Sequence, residues 1–251
     1  MTLLSVNVNK IATLRNARGQ NTPDLSLVVQ DIIRFGAHGI TIHPRPDERH
    51  IKKTDVYKLN ELLGEHNAHS ETKIEFNIEG YPSNEFLDLI SEIKPDQCTL
   101  VPDPPHVLTS CAGWKCNENF SFLQKTLKVL DDINVRSSLF IEPAQYNYDE
   151  TQALKELNPG RAELYTELFA QNYKGPEKDH VKELYTDTVQ SLLSLGIELN
   201  AGHDLNLDNL GILIKWIPEI KEVSIGHALI CESLYNGLEK TIQQYLKILH
   251  V

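Results

Sequence analysis

Apolar and polar positions alternate along this chain in two rhythms. Short runs rich in apolar and β-branched residues recur at 3–8, 39–43, 73–78, 97–101, 135–141, 162–165, 198–200 and 222–225. Each has the length and composition of a buried strand. Between them, apolar residues return every three or four positions at 25–35, 54–63, 84–93, 119–132, 146–157, 178–195, 207–216 and 229–249. That interval marks one face of a helix. Asp24 and Ser83 stand where N-caps are needed, because their side-chain oxygens can accept the free N–H groups of a first turn. Gly36 and Gly196 stand where helices should stop, since glycine enters the left-handed region at no steric cost.

Eight strands, each followed by a helix, predict parallel βαβ units. Eight such units in 251 residues match the size of a (βα)8 TIM barrel. An open doubly wound sheet is the competing arrangement, but no Gly-x-Gly-x-x-Gly follows the first strand. With no linker, low-complexity segment or internal repeat, residues 1–251 read as one domain. The stretch 102–119 exceeds an ordinary βα loop and lies where barrel lids occur.

Composition narrows the classes. Hydrophobic residues make up 41%, which suits a soluble core. A net charge of −11 argues against a nucleic-acid partner or an anionic membrane. It leaves room for small phosphorylated substrates, which a local cluster of Arg, Lys and His can hold. The start, Met1-Thr2-Leu3-Leu4-Ser5, lacks a basic segment followed by an apolar one, so no secretory signal is expected. Cys98, Cys111, Cys116 and Cys231 lack metal-site spacing. Reduced thiols in a cytoplasmic protein are the expectation.

In a barrel, chemistry gathers at the C-terminal strand ends, and this chain places unusual polar groups there. The first strand ends in Asn7, with Asn9, Lys10, Arg15 and Arg18 following. The second ends in His43, then Arg45, Arg49 and His50. Asn77 and Glu79 end the third, and Glu163 lies on the sixth. Asn200-Ala201-Gly202-His203-Asp204 ends the seventh, and Gly226-His227 the eighth. Four of ten histidines, His43, His50, His203 and His227, thus fall on one predicted rim.

Imidazoles titrate near neutrality and can both accept and donate protons. Glu79, at the end of a buried strand, is expected to have a raised pKa and to serve as a base. The two Gly-His pairs follow strands seven and eight, where this fold often binds phosphate. Their glycines would let backbone N–H groups approach an anion. Arg18, Arg45 and His50 offer a second anion site, because guanidinium grips phosphate in a bidentate fork. Two phosphate sites imply two phosphorylated substrates or one bisphosphate. No Gly-x-Ser-x-Gly or Walker loop is present, which disfavours serine hydrolases and nucleotide-driven chemistry. A Schiff-base aldolase would have to use Lys10. A sensor barrel would not need His43, Glu79 and His203 together.

The segment Ser5-Val6-Asn7-Val8-Asn9-Lys10-Ile11-Ala12-Thr13-Leu14-Arg15-Asn16-Ala17-Arg18-Gly19 resembles the opening motif of pyridoxine 5′-phosphate synthases. Gly39-Ile40-Thr41-Ile42-His43-Pro44-Arg45-Pro46-Asp47-Glu48-Arg49-His50 resembles the second-strand motif, and blocks at 94–102, 199–203 and 224–230 follow in order. The resemblance implies a TIM barrel with extra helices, assembled as a homo-octamer and using no metal or organic cofactor. It implies the condensation of 1-deoxy-D-xylulose 5-phosphate with 3-amino-2-oxopropyl phosphate, with release of phosphate and water.

By resemblance, His43 is a proton acceptor, Glu79 a second acid–base group, His203 a proton donor, and Glu163 a stabiliser of the transition state. Arg45, His50 and Thr109 match positions that bind the deoxyxylulose phosphate. Asn7, Arg18, Gly226 and His227 match positions around the amino-ketone phosphate, and Asp204 occupies a further substrate-binding position. The chain departs from the common pattern at Asn9-Lys10, where many members have Asp-His. It departs again at Asp204, where many have Gly, at Glu232 in place of Arg, and at Ser110-Cys111-Ala112-Gly113 in the lid.

Overall fold

Eight parallel strands close on themselves in chain order: β1 (Leu3–Asn7), β2 (Gly39–Ile42), β3 (Glu75–Gly80), β4 (Gln97–Leu100), β5 (Arg136–Ile141), β6 (Arg161–Tyr165), β7 (Glu198–Gly202) and β8 (Glu222–Ile225). The last strand pairs with the first, Ser5 opposite Ser224, which completes the TIM barrel. The computed structural model describes residues 1–102 and 112–250. Among these, eleven α-helices surround the strands, and none is long and apolar enough to cross a membrane.

Several local expectations meet their partners. Asp24 accepts hydrogen bonds from Ser26 N and Leu27 N at the start of α2 (Leu25–Arg34). Ser83 accepts from Phe86 N at the start of α4 (Asn84–Ile93). Gly36 and Gly196 take positive φ after their helices.

Other expectations need correction. The third strand lies two residues later than 73–78, which puts Glu79 within β3. The segment after β1 is a helix, α1 (Asn9–Asn16), where the apolar intervals predicted none before residue 25. Its buried face includes Arg15, whose guanidinium grips Asp55 at 2.6 Å, so no apolar stripe announced it. A second unforeseen helix, α7 (Glu167–Asn172), buries only Phe169. The expected helix 229–249 is two, α10 (His227–Asn236) and α11 (Leu238–Leu249), because Gly237 at φ +83° turns the chain between them. The remaining helices discussed below are α3 (Lys53–His69) and α9 (Leu210–Trp216).

The apolar core lies between strands and helices. Ile40, Ile42, Ile78, Leu100, Leu139, Leu164, Leu199 and Val223 are each fully enclosed there. Alternate residues of the same strands turn into the lumen, and these are polar. Ser5 and Thr41 share a 2.7 Å hydrogen bond, Asn77 donates to Thr41, and Thr99 donates to Asn77. Asn200 on β7 donates to Gln97 on β4 at 3.4 Å, a contact between non-adjacent strands that can only cross the lumen. TIM barrels usually fill this space with branched apolar side chains. Here a hydrogen-bonded polar column runs from one end of the barrel to the other.

Candidate active site

The C-terminal strand ends and the turns after them enclose a cavity of about 930 Å3. Asn7 reaches it from β1, and Asn9 and Lys10 from the first turn of α1. His43, Arg45, Arg49 and His50 come from the segment after β2, Glu79 from β3 and Glu163 from β6. His203 and Asp204 follow β7, and Ser224, Gly226 and His227 close the circle from β8 and the start of α10. A smaller cavity of about 210 Å3 adjoins it, walled by Pro44, Pro46, Tyr81 and Phe86 and sharing His43 and Arg45.

Glu79 and His43 form the centre of one wall. His43 Nδ1 lies 3.9 Å from Glu79 Oε2, and Asn7 Nδ2 donates to the same oxygen at 3.3 Å. Asn9 fixes the geometry: its Oδ1 accepts the His43 backbone N–H at 2.9 Å, while its own N–H bonds Asn7 Oδ1. Burial pushes the Glu79 carboxyl up to about 8; the Arg45 charge opposes this and Glu222 adds to it. Burial also drives His43 well below the usual imidazole range, reinforced by Arg45, His50 and Arg49. At neutral pH the pair is therefore mostly a carboxylic acid beside a neutral imidazole, a proton donor next to an acceptor.

Glu163, three strands round the barrel on β6, is raised well above the carboxylate range, first by burial and then by Glu79, against a hydrogen bond from Thr99. Among the described residues its buried Oε2 has no hydrogen-bonding partner.

The neighbouring wall is cationic. Arg45 is buried, and Arg49 is paired with Asp47 at 2.6 Å. His50 is pushed down to about 4 by burial, then by Arg45, Lys10 and Arg49, with Asp47 opposing. The Ile51 backbone N–H donates to His50 Nδ1 at 2.9 Å, so the neutral ring carries its proton on Nε2. Fixed cations beside a neutral N–H donor suit a multiply charged anion.

Across the cavity, His203 and Asp204 both take left-handed backbone, φ +82° and +55°. For residues with a Cβ this costs roughly 1–3 kcal/mol each. Thr166 Oγ1 helps hold the turn by donating to the Gly202 and His203 carbonyls, and Asn209 Nδ2 donates to the Asp204 carbonyl at 3.0 Å. The Tyr165 ring stands edge-on to His203, centroids 4.8 Å apart. Beyond it, the first turn of α10 opens on the cavity through Gly226 and His227, and unsatisfied first-turn N–H groups attract anions. His227 Nε2 lies 3.6 Å from Cys231 Sγ.

Comparison with known proteins places this arrangement. Residues 4–251 match the family model described as pyridoxal phosphate biosynthesis protein PdxJ. The chain is 46% identical over 245 residues to a protein of Parabacteroides distasonis named pyridoxine 5′-phosphate synthase, covering 98% of each. It is 49% identical to proteins of that name from Bacteroides fragilis and Cytophaga hutchinsonii, over 245 and 247 residues and again 98% of each chain. The chain belongs to the PdxJ family. Among solved structures it resembles tryptophan synthase from M. tuberculosis, with TM-score 0.65 and 10% identity over 99% of this chain and 93% of that one. A thiamine phosphate pyrophosphorylase from Pyrococcus furiosus gives TM-score 0.60 and 12% identity over 99% and 95%. At these identities the likeness shows the fold alone.

Most residues expected of a PdxJ family site meet in the cavity: Asn7, His43, Arg45, His50, Glu79, Glu163, His203, Asp204, Gly226 and His227. Arg18 does not. It is exposed on the turn after α1, outside the cavity wall, and the cation that α1 contributes there is Lys10. Thr109 and Cys111 lie outside the described residues.

Gly202 has a packing reason beside the expected anion contact. A Cβ at 202 would collide with Glu163 Oε1, so this glycine makes room for the carboxyl. Gly226 likewise packs the end of β8 against β1, where a Cβ would stand 3.0 Å from Asn7 Cβ. Glu232 accepts from Tyr245 Oη at 2.6 Å and Leu207 N at 3.2 Å, joining α10 to α11 and to the turn before α9. Phe140 and Gln171 also line the cavity. Sequence reading missed both, because an apolar strand residue and a helical amide carry no signal of a site. Among the described residues no group of three His, Cys, Asp or Glu is arranged to hold a metal.

Proposed function

We propose that this chain is a pyridoxine 5′-phosphate synthase, a ring-closing transferase that joins 1-deoxy-D-xylulose 5-phosphate to 3-amino-2-oxopropyl phosphate with loss of phosphate and water. The observation that carries the reading is the neutral His43 beside the protonated Glu79 in a mouth flanked by cations, within a chain nearly half identical to proteins of that name. Ring closure requires repeated proton movement at carbon and oxygen, and this pair meets that demand without a metal or organic cofactor. His43 accepts protons, Glu79 gives and retrieves them, and His203 protonates a departing oxygen from the opposite side. Glu163, kept neutral by burial, donates a hydrogen bond to developing negative charge. Arg45, His50 and Thr109 hold the deoxyxylulose phosphate. Asn7, Gly226 and His227, with the first turn of α10, hold the amino-ketone phosphate.

The resemblance also supports a cytoplasmic homo-octamer, with Arg18 serving the amino-ketone phosphate. Incubating the protein with both substrates and following pyridoxine 5′-phosphate by absorbance and mass tests the reading. Product should require both substrates, and no product from correctly folded protein would overturn it.

A further inference from the structure

The turn after β7 holds a contact that the common family motif does not supply. Where many members have Gly, this chain has Asp204, and its Oδ2 lies 3.1 Å from His203 Nδ1. That nitrogen is closed off from solvent and makes no hydrogen bond among the described residues; the carboxylate is near it but out of line. A buried ring nitrogen without a partner is uncommon, and a carboxyl torsion is broad and soft, so alignment requires little. Both residues stand in left-handed backbone, which glycine would occupy more comfortably. The Tyr165 ring, edge-on to His203, limits the imidazole to small excursions. With Nδ1 buried and 27% of the side chain still exposed, Nε2 is the nitrogen left to meet a substrate.

We propose that Asp204 is a positioning residue whose carboxylate keeps a proton on His203 Nδ1 and thereby aims Nε2 at the substrate. The inference rests on the reading of His203 as a proton donor. In that role the cationic ring releases its Nε2 proton to the departing oxygen and is left neutral, its remaining proton on Nδ1 and hydrogen-bonded to the Asp204 carboxylate. The ring regains a proton at Nε2 from solvent before the next turnover. A carboxylate in this place stabilises the cationic ring and excludes the wrong tautomer.

Two measurements on the full chain test this. In protein labelled with 15N-histidine, without substrate, the His203 ring signals are identified by their loss in His203→Asn. The neutral ring should be the Nδ1–H tautomer in the parent protein and shift towards Nε2–H in Asp204→Gly. Glycine suits the local backbone, so the fold is not at risk. In the synthase assay, Asp204→Gly should lose roughly 10- to 100-fold in kcat, as when a histidine loses its orienting partner, with KM nearly unchanged. Asp204→Glu should recover part of that loss.

An Nε2–H tautomer in the parent protein would overturn the proposal, as would ring signals indifferent to Asp204→Gly. A raised KM at constant kcat would also overturn it, and would make Asp204 a substrate contact instead. The ring signals need no turnover, so failure of the positioning role and failure of the synthase reading are seen separately.

Discussion

The two ends of the barrel lumen are both lined with ionisable groups, and they treat them in opposite ways. At the N-terminal end, Arg136 binds Glu75, while Arg161 reaches Glu75 at 3.4 Å, Glu198 at 3.3 Å and Glu222 at 3.8 Å. Gln97 Oε1 gathers Arg136, Arg161 and Asn200. Even Glu222, whose carboxyl burial and Glu75 push well above the usual range, shares a hydrogen bond with Glu75 and feels Arg161. At the C-terminal end, among the described residues, Glu163 Oε2 has no hydrogen-bonding partner, and Glu79 Oε2 accepts from an amide at 3.3 Å and lies 3.9 Å from an imidazole. Buried charge with its partners in place is architecture. Buried titratable groups pushed to unusual pKa values and facing a cavity are equipped for chemistry.

The largest expected effect belongs to the open end. His43→Asn or Glu79→Gln should lower kcat by about 10²- to 10⁴-fold, the range for losing a general acid or base, while the fold stays intact. Near-normal kcat in a folded variant would remove the functional half of the contrast.

The closed end should fail in the other currency. Arg161→Met removes the cation from three carboxyl groups, of which Glu75 keeps Arg136 and Glu198 faces solvent, while Glu222 is only 2% exposed. Breaking one side of a buried pair costs about 3–5 kcal/mol. Denaturant melts should show that loss, with kcat per folded molecule preserved. A stable variant with impaired kcat would mean that the two ends are not separate.

Arg45→Ala sharpens the comparison within the open end, since this arginine serves binding rather than proton transfer. KM for the deoxyxylulose phosphate should rise roughly 10- to 100-fold, the equivalent of one or two charge-assisted hydrogen bonds, with a smaller change in kcat.

The smallest effect is a slope. The Glu79 carboxyl titrates near 8 in the folded chain and at about 4.3 when unfolded. Between those values only the unfolded chain is ionised there, so its contribution to stability is full below the lower value and is lost as pH rises towards 8. The limit for one such group is about 1.4 kcal/mol per pH unit. Glu79→Gln should flatten the dependence of the thermal midpoint on pH between 5 and 8, leaving the part due to Glu163. Parallel curves for parent and variant would show that this carboxyl is not held protonated.

Much of this was legible along the chain. Short apolar runs located the eight strands and the three-to-four-residue rhythm most helices, because burial leaves its length and period on the sequence. Asp24, Ser83, Gly36 and Gly196 marked helix ends through purely local chemistry. The histidines and carboxyls of the mouth stood out because a barrel brings every strand end to one rim. Helices α1 and α7 were not legible, since one hides Arg15 on its buried face and the other has a single apolar anchor.

Only the closed barrel decided the rest. It set the register that places Glu79 within β3, turned Gly202 into clearance for Glu163, and left Arg18 outside the wall. It brought Gln97 and Asn200, 103 residues apart, into contact across the lumen. It also determined which carboxyls are paired with arginines and which face the cavity beside His43. Those outcomes depend on distance and desolvation between segments remote in sequence, and neither quantity exists until the last strand has paired with the first.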